Sequence, residues 1–539
     1  MSWDAYVENI RQTIHDHERA MISLDGEIEE HMRAVRQLHH LKQHHINAIR
    51  HCKGKITLAK RIPFEVLATI FKQCVFEGWT RTPLVVSHVC SSWRQAASAP
   101  TVWSHIYVNL EGRDPCQRTR FWLNNAQGTL ITIEVEVGNE GLSNLNKVMK
   151  ILTTEIHRWK ILIIKSTLLG PVNQILGACI KPAPELRMVD ISVAQELTLG
   201  NTDESHSHQI TALQSSFPSA PIFRALRISR NILPLRNMVP SSITDLSLKL
   251  PCHPPSATSQ SISSVIDLLG GFHNLMSFSI EVPNGHHQNF EMDVSINQLV
   301  ELPSLTSLKV TGWNNIFGIL SRIITPSLKY LYLRSSLEYP QAEEASAWIY
   351  LLLERSSPPI SLLEIRDMSL DPQSYGRLFT LLPNLEELCL HDSDLVDTIL
   401  KQVNGPQGLC PLLKRIDVRW CGRLSGGALV ELVCSRLRGN INSSSIASPI
   451  SEITLINCPF VKEEHILELT QMTVCRLIHR GQDDFCCKQV LCCQDRQADN
   501  NFADTYGCCD NERYRKRLKQ RLPSHPLMVQ AYKTRSLIL

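Results

Sequence analysis

The chain has 539 residues, 43% of them hydrophobic and 20% charged, the composition of a globular protein long enough for several cores. Its formal net charge of +3 is too small to mark nucleic acid or a membrane surface as the main partner. The opening, MSWDAYVENIRQTIHDHE, contains no apolar core of a secretory signal, and the most apolar run, Ile161–Gly170, spans ten residues and holds Lys165. The expectation is a cytoplasmic or nuclear protein without a membrane span, whose 18 cysteines stay reduced.

Residues 1–58 carry a heptad repeat. Alternating steps of four and three from Trp3 to Ile56 visit sixteen positions, eleven of which are Trp, Val, Ile, Leu or Met, and no proline interrupts them. This predicts a coiled-coil helix or a long helical hairpin. His17, His31 and His45 fall on one heptad position, fourteen residues apart. Acidic residues lie early (Glu8 to Glu30) and basic ones late (Arg33 to Lys55), which complements the helix dipole. The same gradient favours self-association of residues 3–56 in an antiparallel pair.

Residues 59–108 form a second block. Pro63 suits a first helical turn. Val66, Leu67, Ile70, Phe71 and Cys74 follow at helical spacing, and Val85, Val86, Val89, Cys90 and Trp93 repeat the pattern before Pro100 and Trp103. Three small helices are predicted. The order Pro-x-Glu-x-Leu-x-x-Ile-Phe, Val-Cys-x-x-Trp-Arg, Pro-x-x-Trp resembles the F-box, in particular the F-box-like domains abundant in fungi, which often carry a helix just upstream. The resemblance implies contacts with a Skp-family adaptor at Pro63, Leu67, Ile70, Phe71, Val89, Trp93 and Trp103. Ile62, where the family usually has Leu, and the inserted Gly78-Trp79-Thr80 depart from the pattern.

From residue 109 to about 480 the chain repeats apolar-x-x-apolar-x-apolar twelve times, from Leu130-Ile133-Val135 to Ile450-Ile453-Leu455. The spacing between central residues runs from 20 (Leu226 to Leu246) to 37 (Val189 to Leu226). One strand per repeat, stacked parallel and backed by a helix or irregular return, gives an irregular leucine-rich-repeat solenoid of α/β class. Asn384–Leu395 and Leu412–Ser425 look most like leucine-rich repeats, and the second resembles the cysteine-containing repeats common in F-box proteins. Cys421 and Cys458 are read as core thiols, and Asn201–Ser219 and Leu250–Ser264 as loops leaving the solenoid.

Side chains between the apolar strand positions point away from the core. In the late repeats these include Glu386, Glu387, Cys389 and His391; Lys414, Arg415, Asp417 and Arg419; and Glu452, Thr454 and Asn457. Their mixed charge suits a protein surface, and Lys414, Arg415, Asp417 and Arg419 are the candidate target-binding residues.

Residues 481–539 differ in character. Cys486-Cys487, Cys492-Cys493 and Cys508-Cys509 do not have the spacing of a zinc ribbon, and the basic run Arg513–Arg521 suits solvated tail, nuclear import or a polyanion. A disordered Cys-rich tail is expected. No phosphate-binding loop, nucleophile elbow or His-Glu-x-x-His occurs, so no catalytic residue, metal or cofactor is assigned and an enzyme is not expected. The resemblance implies a substrate receptor of a cullin-RING ubiquitin ligase, with an unknown protein substrate held by the repeats. A non-catalytic leucine-rich-repeat scaffold without a ligase role is the alternative, and a nucleic-acid binder using the basic tail is a further rival.

Overall fold

The structure is a computed structural model that describes residues 3–56, 62–138, 142–193, 210–229, 233–234, 236–250, 261–282, 299–312, 314–335, 342–368, 370–393, 396–405, 408–441, 447–456, 458, 460–478 and 536–538. The chain forms two units, Met1–Trp103 and Ser104–Leu539. Among the described residues, no helix is long and apolar enough to cross a membrane.

The first unit begins with α1, one uninterrupted helix over Trp3–Ile56. Of the two arrangements open to the heptad pattern, the hairpin is therefore excluded. Side chains from Glu8 to His45 are exposed throughout, seam residues included. Three short helices follow: α2 (Phe64–Phe76), α3 (Thr82–Ser87) and α4 (Ser91–Ala97). Pro63 is the residue before α2 and not its first turn: it is extended, and its carbonyl accepts the Leu67 N–H at 3.1 Å. The second apolar stretch is two helices, because Cys90 is extended (φ −161°, ψ 173°) and interrupts it. Pro100–Trp103 forms a 3₁₀ turn.

The second unit is built on one open sheet whose parallel strands pair in chain order. Its first seven strands are β1 (His105–Asn109), β2 (Ile131–Val137), β3 (Trp159–Ser166), β4 (Met188–Val193), β5 (Ala225–Ser229), β6 (Asp245–Lys249) and β7 (Ser277–Glu281). The two-residue strand β8 (Val300–Glu301) pairs aside with β10 (Ile323–Ile324), while β9 (Ser307–Gly312) continues the sheet. Then come β11 (Tyr330–Ser335), β12 (Leu362–Arg366), β13 (Glu387–His391), β14 (Arg415–Arg419), β15 (Glu452–Ile456) and β16 (Val474–Ile478). A last strand, β17 (Ser536–Ile538), adds antiparallel to β16.

The register explains why the strand pattern repeats. Ile133, Leu162, Val189, Leu226, Leu246, Phe278, Leu308, Leu331, Leu363, Leu388, Ile416 and Ile453 stand side by side in one buried row. The residues two further on form a second buried row, since alternate side chains share a face. Of the leading apolar residues, only Leu130 remains exposed. Each strand thus buries its inward side chains against its neighbours and the returns, a nearest-neighbour architecture of the solenoid kind.

The returns vary. Helices α5 (Pro115–Ala126), α6 (Leu142–Leu152) and α7 (Leu169–Gly177) serve the first strands, and α8 (Ile262–Leu269) precedes β7. Helices α9 (Ala342–Ser356), α10 (Pro372–Thr380), α11 (Asp397–Lys401), α12 (Gly426–Ile441) and α13 (Glu463–Thr470) serve the last ones. Asp114 and Asp371 cap α5 and α10 by accepting first-turn N–H groups. Three consecutive strands leave the sheet through a left-handed residue: Asp367 (φ 54°), Asp392 (φ 52°) and Trp420 (φ 60°). Aspartate tolerates that conformation better than a bulky aromatic does.

Two predicted loops are only partly loops. Ile210, Leu213 and Phe217 are buried around the 3₁₀ turn Ala212–Ser215, so the second half of Asn201–Ser219 is a packed return. Ser261 caps α8, which removes the end of Leu250–Ser264 from the loop. Residues 201–209 and 251–260, the cysteine pairs and basic run of the tail, and Asn457 lie outside the described residues.

Candidate functional site

Two surfaces carry side chains that their own unit does not use up. The first is on the helical segment 62–103. Its core is Leu67, Ala68, Phe71 and Val75 of α2, Val86 of α3, Ala96 and Ala97 of α4, and Val102 and Trp103 of the closing turn. Phe71 packs on Trp93 with ring centroids 5.1 Å apart. Trp103 Nε1 donates to the Ala97 carbonyl at 2.6 Å, and Arg94 Nε donates to the Ser87 carbonyl at 2.9 Å. Gly78, at φ 102°, lets the chain turn off α2 into the inserted Trp79.

This core divides the seven residues expected at the adaptor surface. Leu67, Phe71 and Trp103 are buried and hold the segment together, Trp93 is half-buried, and Pro63, Ile70 and Val89 are exposed. Phe64, Val66, Phe76, Trp79 and Val85 are exposed as well. The seven exposed apolar side chains other than Pro63 retain 41–74% of their surface, a high density for so short a segment. Val66, Ile70, Val85 and Val89 belong to the two apolar stripes that recur at helical spacing in the sequence. Both faces of α2 are apolar, so helical spacing alone does not choose between them.

The second surface is the outward face of the sheet. Its central row reads Tyr332, Glu364, Cys389, Asp417, Thr454 and Arg476 from β11 to β16. Beside it runs Arg334, Arg366, His391 and Arg419. These charges answer one another within and between strands. Arg415 contacts Glu387 (2.5 Å) and Lys414 contacts Glu386 (3.3 Å). Arg334 pairs with Asp367 (3.0 Å), Arg476 with Glu452 (2.7 Å) and Arg366 with Glu364. The early strands do the same, with Glu134 between His105 (2.8 Å) and Lys165 (2.7 Å) and with Lys249 on Glu281 (2.6 Å).

Asp417 is the best-connected of these groups. Arg419 Nε donates to its Oδ1 at 2.7 Å, and His391 Nε2 lies 3.5 Å from the same oxygen. Burial alone would raise its carboxyl, but Arg419 and His391 outweigh that and hold it down to about 2. For His391, burial favours the neutral ring. Asp417 pulls the other way, Arg366 and Arg419 add to the burial effect, and the net shift is downward.

The unfolded chain therefore protonates His391 before the folded one does. Stability at this position is complete above the ordinary histidine value of about 6.5 and is lost as pH falls below it. His391→Gln should reduce the stability difference between about pH 7.5 and pH 5, measured by urea unfolding. An undiminished difference would mean the ring does not sense the pH this way.

The sheet face brings Lys414, Arg415, Asp417 and Arg419 together as expected of neighbouring positions, but as members of a paired lattice. Reversing Lys414, Arg415 and Arg419 would set like charges against Glu386, Glu387 and Asp417, so such a change acts on stability as well as on any partner. Cys389 and His391 are themselves nearly buried. Glu364, Arg366, Arg334 and Arg476 belong to the same lattice, and the first three were legible as the positions between and after the apolar pair of their repeats, whereas Arg476 stands on β16, beyond the last repeat read from the sequence. Cys421 and Cys458 are buried, with each Sγ near a carbonyl of the preceding strand, Leu390 at 3.4 Å and Val418 at 3.6 Å. Burial pushes the Cys458 thiol up to about 11, so it is a protonated packing group.

No protein-family model matches this chain, and no curated protein matches it.

Proposed function

We propose that the chain is the substrate-recognition subunit of an SCF-type cullin-RING ubiquitin ligase. Residues 62–103 act as an F-box-like unit that binds a Skp-family adaptor, and the leucine-rich-repeat-like sheet selects a target protein. The observation that carries this reading is the set of exposed apolar side chains on a helical segment whose core is already complete. The order of its anchors resembles the F-box. The sheet face supports the second half of the reading, because side chains fixed in ion pairs lose little freedom when a partner docks.

The mechanism is positional. A target held on the sheet and an adaptor held on α2 and α3 keep the target's lysines near a ubiquitin-charged enzyme, which raises their effective concentration without any chemistry by this chain. It works in the cytoplasm or nucleus, where such complexes act.

The test uses exposed positions. Ile70→Glu with Val89→Glu should reduce co-purification of a Skp-family adaptor at least tenfold while leaving the chain folded. Full adaptor capture by that variant, or none by the parent chain, would leave an interaction scaffold without a ligase role as the better description.

A further inference from the structure

The long helix α1 has a face that its own unit leaves open. Ile10, Ile14, Met21, Leu24, Ile28, Val35, Leu38 and Ile49 lie along the heptad seam, and each keeps 42–65% of its surface exposed. Such a stripe on a helix of 54 residues calls for a second helix to cover it.

Charge identifies the occupant. Residues 3–30 hold eight carboxylates against Arg11 and Arg19, a net charge of −6. Residues 31–56 hold six lysines and arginines and no carboxylate, a net charge of +6. Both arginines of the acidic half are already engaged by neighbours, Arg11 with Glu8 (3.5 Å) and Arg19 with Asp16 (3.9 Å). The basic half has no acidic residue in its sequence with which to do the same.

A helix whose halves are equal and opposite in charge is its own complement under a two-fold rotation, the symmetry of an isologous dimer. In a parallel pair, −6 would face −6 and +6 would face +6. In an antiparallel pair every half meets its opposite while the same apolar seam is buried.

We infer that α1 pairs antiparallel with α1 of a second copy of this chain, with Trp3 of one level with Ile56 of the other. This assignment is independent of the ligase reading. Each α1 then leads into its own helical segment at an opposite end of a rod about 80 Å long. The dimer carries two copies of the 62–103 segment, one joined to each end of the rod.

The experiment uses the full chain. Sedimentation at about 20 µM and low ionic strength, where charge pairing is least screened, should give twice the 61.0 kDa monomer mass. A carbodiimide, which joins carboxylates to amines without a spacer, should link Glu8 to Lys53. Within one straight helix those residues are about 68 Å apart, so the link can form only between copies.

The triple variant Ile14→Asp, Ile28→Asp, Leu38→Asp should return the chain to monomer and abolish the link, with near-ultraviolet circular dichroism unchanged because these side chains lie outside both packed cores. A monomeric parent chain, a dimer without the Glu8–Lys53 link, or a dimer that survives the triple change would each overturn the assignment. The first of these outcomes would mean that α1 folds back on its own chain or waits for another protein.

Discussion

Replacing Arg436 with alanine should lower the unfolding free energy of the second unit by about 3 kcal/mol or more. Arg436 lies on α12 and is fully buried, yet among the described residues no carboxylate pairs with it. Its guanidinium donates instead to five backbone carbonyls: Val403 (2.9 Å), Leu409 (2.9 Å), Cys410 (3.0 Å), Pro411 (3.2 Å) and Ser448 (3.4 Å). Burial disfavours the charged form and draws its pKa down, so the carbonyl cluster is what keeps the cation in place. Alanine would take the guanidinium from all five, leaving Cys410 and Pro411 only the Leu413 and Ser448 N–H groups, and would open a cavity the size of the side chain. Lysine should rescue little, because one ammonium has three donors and lacks the planar fork. Urea unfolding of the parent and both variants measures the effect. A loss below about 1 kcal/mol for Arg436→Ala would show that water or backbone shifts satisfy the carbonyls equally well.

Phe71→Ala should have a comparable cost in the first unit, about 3–5 kcal/mol. The segment 62–103 is only about 40 residues long, a size at which total stability is marginal. That loss should therefore unfold it. Hydrogen exchange of the full chain should show the α2 amides losing protection while those of β11 to β16 keep theirs. Persistent protection of α2 would mean that Phe71 is not central to this core. The contrast with Ile70→Glu is the informative part. Phe71 and Ile70 are adjacent in sequence and both were candidates for adaptor contact, but only Ile70 can be changed without touching the core. Loss of adaptor binding on mutating Leu67 or Phe71 would report unfolding.

The sheet was the most legible part of the chain, for a physical reason. A strand buried on one face places apolar residues two apart, and a preceding apolar residue three positions earlier anchors the turn. Twelve stretches met that pattern, and each falls on a strand. Among the parallel strands of the main sheet two escaped, β1 and β16, as did the two-residue pair β8 and β10 and the antiparallel β17. Trp103 served as the last anchor of the helical segment, and on β16 the first inward position is Cys475, which is fully buried.

The helical segment was less legible because α2 is apolar on both faces. Leu67, Phe71 and Val75 form the inner line, whereas Val66 and Ile70, one residue earlier in the same turns, stay outside. Spacing identifies a helix but not which of two apolar lines finds a partner. Arg436 could not be read at all: an arginine in a helix near the end of the chain looks like a solvated residue until its five carbonyls converge from separate returns.

The irregular spacing of the repeats has a further consequence. Asp190, Arg227 and Ser247 stand in one row on β4, β5 and β6, although 37 residues separate the first two and only 20 the next. Length is free to change in the returns while the strand keeps its register, so insertions and deletions there are nearly silent to the sheet. A gain or loss of a whole strand with its return is also tolerable, since each strand touches only its neighbours. Such a chain diverges fastest in repeat number and return length. The outward face of the sheet can therefore be lengthened, shortened or re-charged one strand at a time during descent, without redesigning a shared core.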